Sequence, residues 1–292
     1  MKRIISLVLI LFCLLPAFTQ DRKKVGVVLS GGGAKGVAHV RALKVIEEAG
    51  IPIDYVAGTS MGALVGALYS IGYTPNQLDS MIMIQDWSFL LSDAARRSTK
   101  TFTEKEEDAR YVLTLPFNKT PKEVIPDGII KGKNLDNLFI GLTTGYHDSL
   151  NFSKLPIPFA CVAVDLMKGE EVVFHSGKLA ESMRASMAIP AVFTPVRLDS
   201  MVLVDGGLIN NFPVDVALEM GAEVIIGVDV QSDPNKKEDI VTVADMVSEM
   251  TEMLSRDKYK QNMENVDVHI KVDVEGYNAG SFNLAALDTL LN

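Results

Sequence analysis

The stretch Asp54 to Tyr69, DYVAGTSMGALVGALY, constrains this chain more than any other. It opens with a short β-type run, Tyr55 to Ala57, turns at Gly58-Thr59-Ser60-Met61-Gly62, and continues in residues that suit a closely packed helix. The pentapeptide fits G-x-S-x-G, the pattern of a nucleophile elbow. A serine on so tight a strand-to-helix turn is forced into a strained backbone, and its Oγ projects from the sheet edge. Glycines are expected at 58 and 62 because a Cβ there would strike the neighbouring strand or helix. Gly62, Ala63, Gly66 and Ala67 keep one helix face small, so the helix can lie close behind the serine. Its N-terminus offers unpaired amides and a positive dipole end to any anion forming at Ser60. A bare Gly-Ser turn would match the pentapeptide as well; the strand before it and the helix after it are the context that favours the elbow.

Upstream, Lys24 to Ser30 is a continuous apolar run, as expected of a strand buried on both faces. It runs into Gly31-Gly32-Gly33-Ala34-Lys35-Gly36 and then a helix to about Ala49, with Gly50 as its stop. The opening order, strand, glycine loop, helix, strand, elbow, helix, predicts an α/β fold with a mostly parallel central sheet. The glycine loop allows three readings. Gly31, Gly33 and Gly36 satisfy the dinucleotide pattern G-x-G-x-x-G, but the next strand ends in Gly58-Thr59-Ser60 where an acid for the ribose should stand. A phosphate-binding P-loop fails, because Val37 occupies the lysine position. An oxyanion hole fits best: amides freed by Gly31, Gly32 and Gly33 would stabilise a tetrahedral intermediate. Loops that follow adjacent parallel strands lie side by side, which brings this one to Ser60.

Farther on, Thr74-Pro75 caps a helix holding Leu78 and Met81 to Ile84. The pattern loosens from Gln85 to about Asp127, where Tyr111 to Phe117 alternates like a strand; an insertion there would suit a lid or a lipid-facing surface, though ordinary core and solvated loop account for each piece more simply. Strands are expected over Pro158 to Asp165, Glu170 to His175, Met201 to Val204 and Glu223 to Val230, with a helix over Lys178 to Met187. Glu238 to about Glu264 reads as a long amphipathic helix with apolar positions 243, 246, 250, 253 and 254 on one stripe. Val266 to Asp273 alternates as an edge strand would, and Ser281 to Asn292 reads as a helix start. No repeat or low-complexity linker interrupts 20–292, which reads as one domain.

A serine needs a base. Ser60, Asp205 and His269 stand in the chain order of an α/β-hydrolase triad. His269, however, lies mid-strand, and His39 falls on the helix after the glycine loop, where it looks like a packing residue. Asp205 ends a strand and is followed by Gly206-Gly207, which gives it room, although Asp-Gly-Gly is often a plain turn. Gly31 to Gly36, Gly58 to Gly62 and Asp205-Gly206-Gly207, in that order, resemble the patatin-like phospholipase family. Ala188 to Pro195 and Asn210-Asn211-Phe212-Pro213 resemble its usual surroundings, so the likeness covers about residues 24 to 230. The resemblance implies a three-layer sandwich with helices on both faces of the sheet. It also implies a Ser60–Asp205 dyad without histidine, an oxyanion hole from the glycine loop, and hydrolysis of carboxylic esters in (phospho)lipids at a membrane surface without metal or cofactor. A Ser60–Asp205–His269 esterase and an inactive lipid- or envelope-binding module that keeps the fold are the alternatives.

The composition is that of a globular chain able to bury a sizeable core: 48% of the 292 residues are hydrophobic, 22% are charged, and the net charge of −9 gives no nucleic-acid surface. Residues 1–19, with Met1-Lys2-Arg3 before an apolar run from Ile4 to Leu15, read as a secretory signal peptide, too short to span a bilayer. Its removal takes Cys13 and leaves only Cys161, read as a small buried hydrophobe. Export to a periplasm, outer membrane or cell surface is the expectation for a Gram-negative source.

Overall fold

A computed structural model describes residues 22–95, 128–232 and 243–292. The signal-peptide reading and the alternating run at Tyr111 to Phe117 fall outside these residues. The chain begins with β1 (Val25–Leu29), a 3-10 turn (Gly33–Ala38) and α1 (His39–Glu48), then β2 (Tyr55–Thr59), α2 (Met61–Ser70) and α3 (Pro75–Ile84). A single helical turn, α4 (Trp87–Leu90), precedes β3 (Gly128–Ile130), α5 (Lys133–Leu142) and β4 (Leu150–Asn151). Next come β5 (Phe159–Asp165), β6 (Glu170–Phe174), β7 (Ser176–Gly177) and α6 (Leu179–Ser186), then β8 (Ala191–Phe193), β9 (Val196–Leu198) and β10 (Met201–Asp205). The chain closes with α7 (Gly207–Asn210), α8 (Val214–Glu219), β11 (Val224–Asp229), α9 (Val243–Met263), β12 (Val268–Lys271) and α10 (Leu284–Leu291).

The main sheet runs in the order β12-β11-β1-β2-β5-β10-β9, with β6 on β5. Pairings from β12 to β5 are parallel, while β10 and β6 join β5 antiparallel and β9 joins β10 antiparallel. The sheet is therefore mixed but mostly parallel, the architecture expected of the strand-helix alternation. Successive residues of a strand point to opposite faces, and the core divides accordingly. Val27, Leu29, Val56, Phe159, Cys161, Ala163, Ile226 and Val228 pack into one cluster with α1, α2 and α6. Val28, Ala57, Ala160, Val162 and Ile225 pack into a second cluster under Phe212, Val214, Val216 and Ala217. Both sheet faces are thus covered, as the unbroken apolar runs of β1 and β5 require. Cys161 is among the fully buried residues, and burial pushes its thiol far above the usual range.

Two features depart from the sequence pattern. In α9 the apolar stripe does not enter the core: Met246, Met250, Met253 and Leu254 are exposed, whereas the polar Ser255 and Asn262 are buried. The helix is held by Tyr259 and Met263, which pack against the second cluster, and by polar contacts, with Asn262 Nδ2 donating to Phe212 O (2.7 Å) and Asn210 Oδ1 (3.0 Å) and with Lys258 paired to Asp215. The segment Ala188 to Pro195, to which the sequence pattern assigns no element, forms β8, paired in parallel with β3. Among the described residues no helix is long and apolar enough to cross a membrane.

Candidate active site

β5 outruns its neighbours, and this sets up the site. One of its edges pairs with β6 from Cys161 to Asp165. Its other edge is shared: β2 takes Phe159 to Val162, and β10 takes Ala163 to Asp165 from the opposite direction. Thr59 faces Val162 and Asp205 faces Ala163. The two strand ends therefore meet head on, and Ser60 Oγ donates a 2.7 Å hydrogen bond to Asp205 Oδ2. The sequence places Asp205 at a strand end in a mostly parallel sheet; the strand that delivers it is antiparallel to β5.

Ser60 has φ 55° and ψ −122°, a conformation that an L-residue adopts only under constraint. Its amide donates to Ser186 Oγ (3.0 Å), which in turn donates to Val162 O (2.6 Å). Thr59 Oγ1 anchors the strand end on Asn210 O at 2.8 Å. A Cβ at Gly62 would collide with Leu29 O, and one at Gly58 would lie 2.5 Å from Gly62 O. Both elbow glycines thus let β1, β2 and α2 approach backbone to backbone.

Asp205 is only 6% exposed. Its second oxygen, Oδ1, accepts from the Gly207 amide at 2.8 Å, and its own amide donates to Ala188 O at 3.0 Å. Burial raises its pKa to about 6, against the opposing pull of the hydrogen bonds from Ser60 and Gly207. Its Gly206 neighbour has no room for a side chain, because a Cβ would strike Val162 O.

The glycine loop lies beside Ser60, because β1 and β2 are adjacent and parallel. Its first four amides differ in what they bond. Gly31 N–H donates to Asn211 O (3.0 Å) and Ala34 N–H to Ala279 O (2.9 Å), so both are engaged in holding the loop. Among the described residues neither the Gly32 nor the Gly33 amide has a backbone acceptor, and both residues line a cavity together with Ser60 and Asp205. Gly33 has φ 56°, and a Cβ there would sit 2.5 Å from Ala279 O. Lys35 is buried, with Nζ donating to Ser232 Oγ at 2.7 Å. Gly36 has no room for a side chain against Met61, whose Cγ would be 2.5 Å from a Cβ.

The cavity holds about 240 Å³. Its polar end is formed by the glycine loop, Ser60, Asp205, Asn211 and Thr251, and Leu91, Ile130, Ile189, Val192, Phe193 and Phe282 add an apolar wall. None of the four histidines lines it. His39 is fully buried, and Nε2 lies 2.8 Å from Ser30 O, so that nitrogen carries the proton. Burial lowers its pKa to about 4, which keeps it neutral. His269 is 3.4 Å from Asp229 Oδ2. It sits on β12, three strand steps from β2, or roughly 14 Å at about 4.8 Å per step. His147 and His175 are exposed.

The structure thus brings Ser60, Asp205 and the Gly31–Gly33 loop to one place and leaves His269 elsewhere. Three contributors carried no signal that named their task. Ser186 sits in an ordinary helix, Asn211 belongs to a segment noted only for its likeness, and Ala279 precedes the last helix with no motif at all.

A family model described as patatin-like phospholipase matches residues 27–218. Patatin-like phospholipase domain-containing protein 6 of Mus musculus is 30% identical over 226 residues, covering 77% of this chain and 14% of that protein. Neuropathy target esterase sws of Drosophila melanogaster is 31% identical over 215 residues, covering 71% and 13%. Lysophospholipase nte1 of Aspergillus fumigatus is 31% identical over 210 residues, covering 72% and 12%. The chain therefore spans about one seventh or less of the length of these relatives. Among solved structures, VipD from Legionella pneumophila aligns at 15% identity with a TM-score of 0.42, covering 92% of this chain and 66% of that one.

Proposed function

Because the chain belongs to the patatin-like phospholipase family, we propose that it is a lipid acyl hydrolase that cleaves carboxylic esters of (phospho)lipids through Ser60 and Asp205. One observation carries this reading: a strained, buried serine hydroxyl bonded directly to a buried carboxylate at 2.7 Å. A solvated aspartate, with a pKa of about 3.9, is a poor base for a hydroxyl. Desolvation lifts Asp205 to about 6, so the carboxylate is ionised at neutral pH yet more basic than a free one.

In the proposed cycle Asp205 Oδ2 takes the Ser60 proton as Oγ attacks the ester carbonyl. The carbonyl oxygen becomes an oxyanion received by the Gly32 and Gly33 amides. Gly31, expected in the same hole, serves by holding the loop on Asn211. Collapse of the intermediate breaks the ester C–O bond, and the proton passes from Asp205 to the leaving alcohol. Water then repeats the sequence on the acyl-enzyme and frees the fatty acid. An oxyanion donor of this kind contributes ~2.7–4 kcal/mol to the transition state, so two donors offset much of the weakness of the base.

The names of the relatives, an esterase and a lysophospholipase, agree with this chemistry. The position of His269 on Asp229, away from the cavity, gives the triad alternative no support. Export through residues 1–19 and action at a membrane surface belong to the same proposal. The test is a lipid panel assayed with wild type and Ser60→Ala. Release of fatty acid by wild type alone is expected; equal release by both proteins, or by neither, would overturn the reading.

A further inference from the structure

The apolar wall of the cavity includes one ring of an aromatic pair. Phe282, which lines the cavity beside Ser60, stacks on Trp87 with ring centroids 4.7 Å apart and the planes 29° apart. Trp87 is fixed from behind, since its Nε1–H donates to Ile82 O at 3.0 Å and its side chain is buried. Trp87 also lines a second cavity, of about 40 Å³. Met61, the residue after the nucleophile, lines it with Leu64, Leu68, Leu78 and Leu138, and its walls are almost wholly apolar. One stacked pair of rings thus touches both cavities, Phe282 on the first and Trp87 on the second.

Resting on the hydrolase reading above, we propose that the Trp87–Phe282 pair is the closed end of the acyl-chain site, sets the longest chain accepted, and separates it from a reserve apolar compartment among α2, α3 and α5. The argument begins with polarity. The glycine loop, Ser60 and Asp205 form one end of the main cavity, where the ester must sit. An acyl tail loses water by lying against the apolar wall that holds Ile130, Ile189, Val192, Phe193 and Phe282. A chain that ends at the ring pair is fully buried, whereas a longer one must part Phe282 from Trp87, whose ring is held in place by a hydrogen bond.

The compartment behind it has the chemistry of a tail site and no means of polar recognition. It is too apolar to hold ordered water, which needs two to four polar partners. At roughly 10–15 Å³ per water-sized group, its volume takes about three or four methylene-sized groups. Shrinking either ring should join the compartments and let the tail extend by about that many carbons. Each added methylene that is buried should favour the longer ester by roughly fourfold in kcat/KM.

The experiment is a chain-length profile of p-nitrophenyl esters, from butyrate to palmitate, for wild type, Trp87→Leu and Phe282→Leu. Folding of each is checked by its melting curve and by labelling of Ser60 with a fluorophosphonate. Two variants are needed because Trp87 is buried and its truncation can cost the fold, whereas Phe282 is only partly buried. The expected result is an optimum moved to longer chains, with the long-to-short ratio of kcat/KM raised about tenfold or more. Profiles parallel to wild type in a folded, labelled variant would overturn the proposal while leaving the hydrolase reading intact. Loss of labelling and turnover in the wild type itself would instead overturn that reading.

Discussion

Thr59 and Asp205 face consecutive residues of one strand edge, Val162 and Ala163, from opposite directions. This arrangement explains how residues 145 positions apart come to share a hydrogen bond. The elbow turns off at the end of β2, and β10 stops against it, so no loop has to carry either reacting group. Ser186 ties the joint together, accepting from the Ser60 amide and donating to Val162 O.

Acid should silence the enzyme through one group. In the proposed cycle Asp205 must be ionised to accept the serine proton, and burial places its pKa at about 6. The logarithm of kcat/KM on a neutral ester should fall with a slope near one below about pH 6 and level off above it. A profile flat down to pH 4 would contradict this assignment.

The same burial predicts a stability cost. Between about pH 4 and pH 6 the folded chain holds a proton on Asp205 that the unfolded chain has lost, so stability falls as pH rises through that window and stays lowered above it. Asp205→Asn should therefore be inactive yet more stable than wild type at pH 8, by about 2–3 kcal/mol at most. The gain should vanish near pH 4, as read by denaturant unfolding at the two pH values.

Backbone strain at Ser60 gives a comparison between two inactive variants. At φ 55° and ψ −122° an alanine keeps the strain and a glycine does not. Ser60→Gly should unfold at higher denaturant than Ser60→Ala, by about 1 kcal/mol. The reverse order would mean that the turn is relaxed.

Gly33→Ala addresses the oxyanion loop. Its Cβ would meet the Ala279 carbonyl and would have to be borne at a positive φ, so the amide beside Ser60 moves. A loss of about 10²–10³ in kcat is expected, together with a lower melting temperature, because the clash is with backbone and the φ is positive. Wild-type turnover in a folded Gly33→Ala protein would remove this loop from the mechanism.

Much of this was legible in the sequence where backbone sterics dictate residue type. Gly58 and Gly62 announce an elbow because only glycine fits against Gly62 O and Leu29 O, and the apolar runs of β1 and β5 announce burial on both faces. What was not legible depends on pairing across long separations. Nothing local reveals that β10 runs against β5, that Ser186 holds the Ser60 amide, or that Ala279 returns to the glycine loop. The stripe on α9 misled for a related reason: periodicity marks a common face but not its neighbours, and here Met246, Met250 and Met253 face outward while Ser255 and Asn262 are buried. His269 satisfied a chain order, yet chain order carries no distance, and three strand steps separate it from the elbow strand.

The central claim is that Asp205 alone activates Ser60. Its most direct measurement is the rate at which a fluorophosphonate labels Ser60 in wild type, Asp205→Asn and His269→Ala. Asp205→Asn should label at least about a hundredfold more slowly, and His269→Ala should label at the wild-type rate. Rapid labelling of Asp205→Asn, or its loss in a folded His269→Ala protein, would contradict the account.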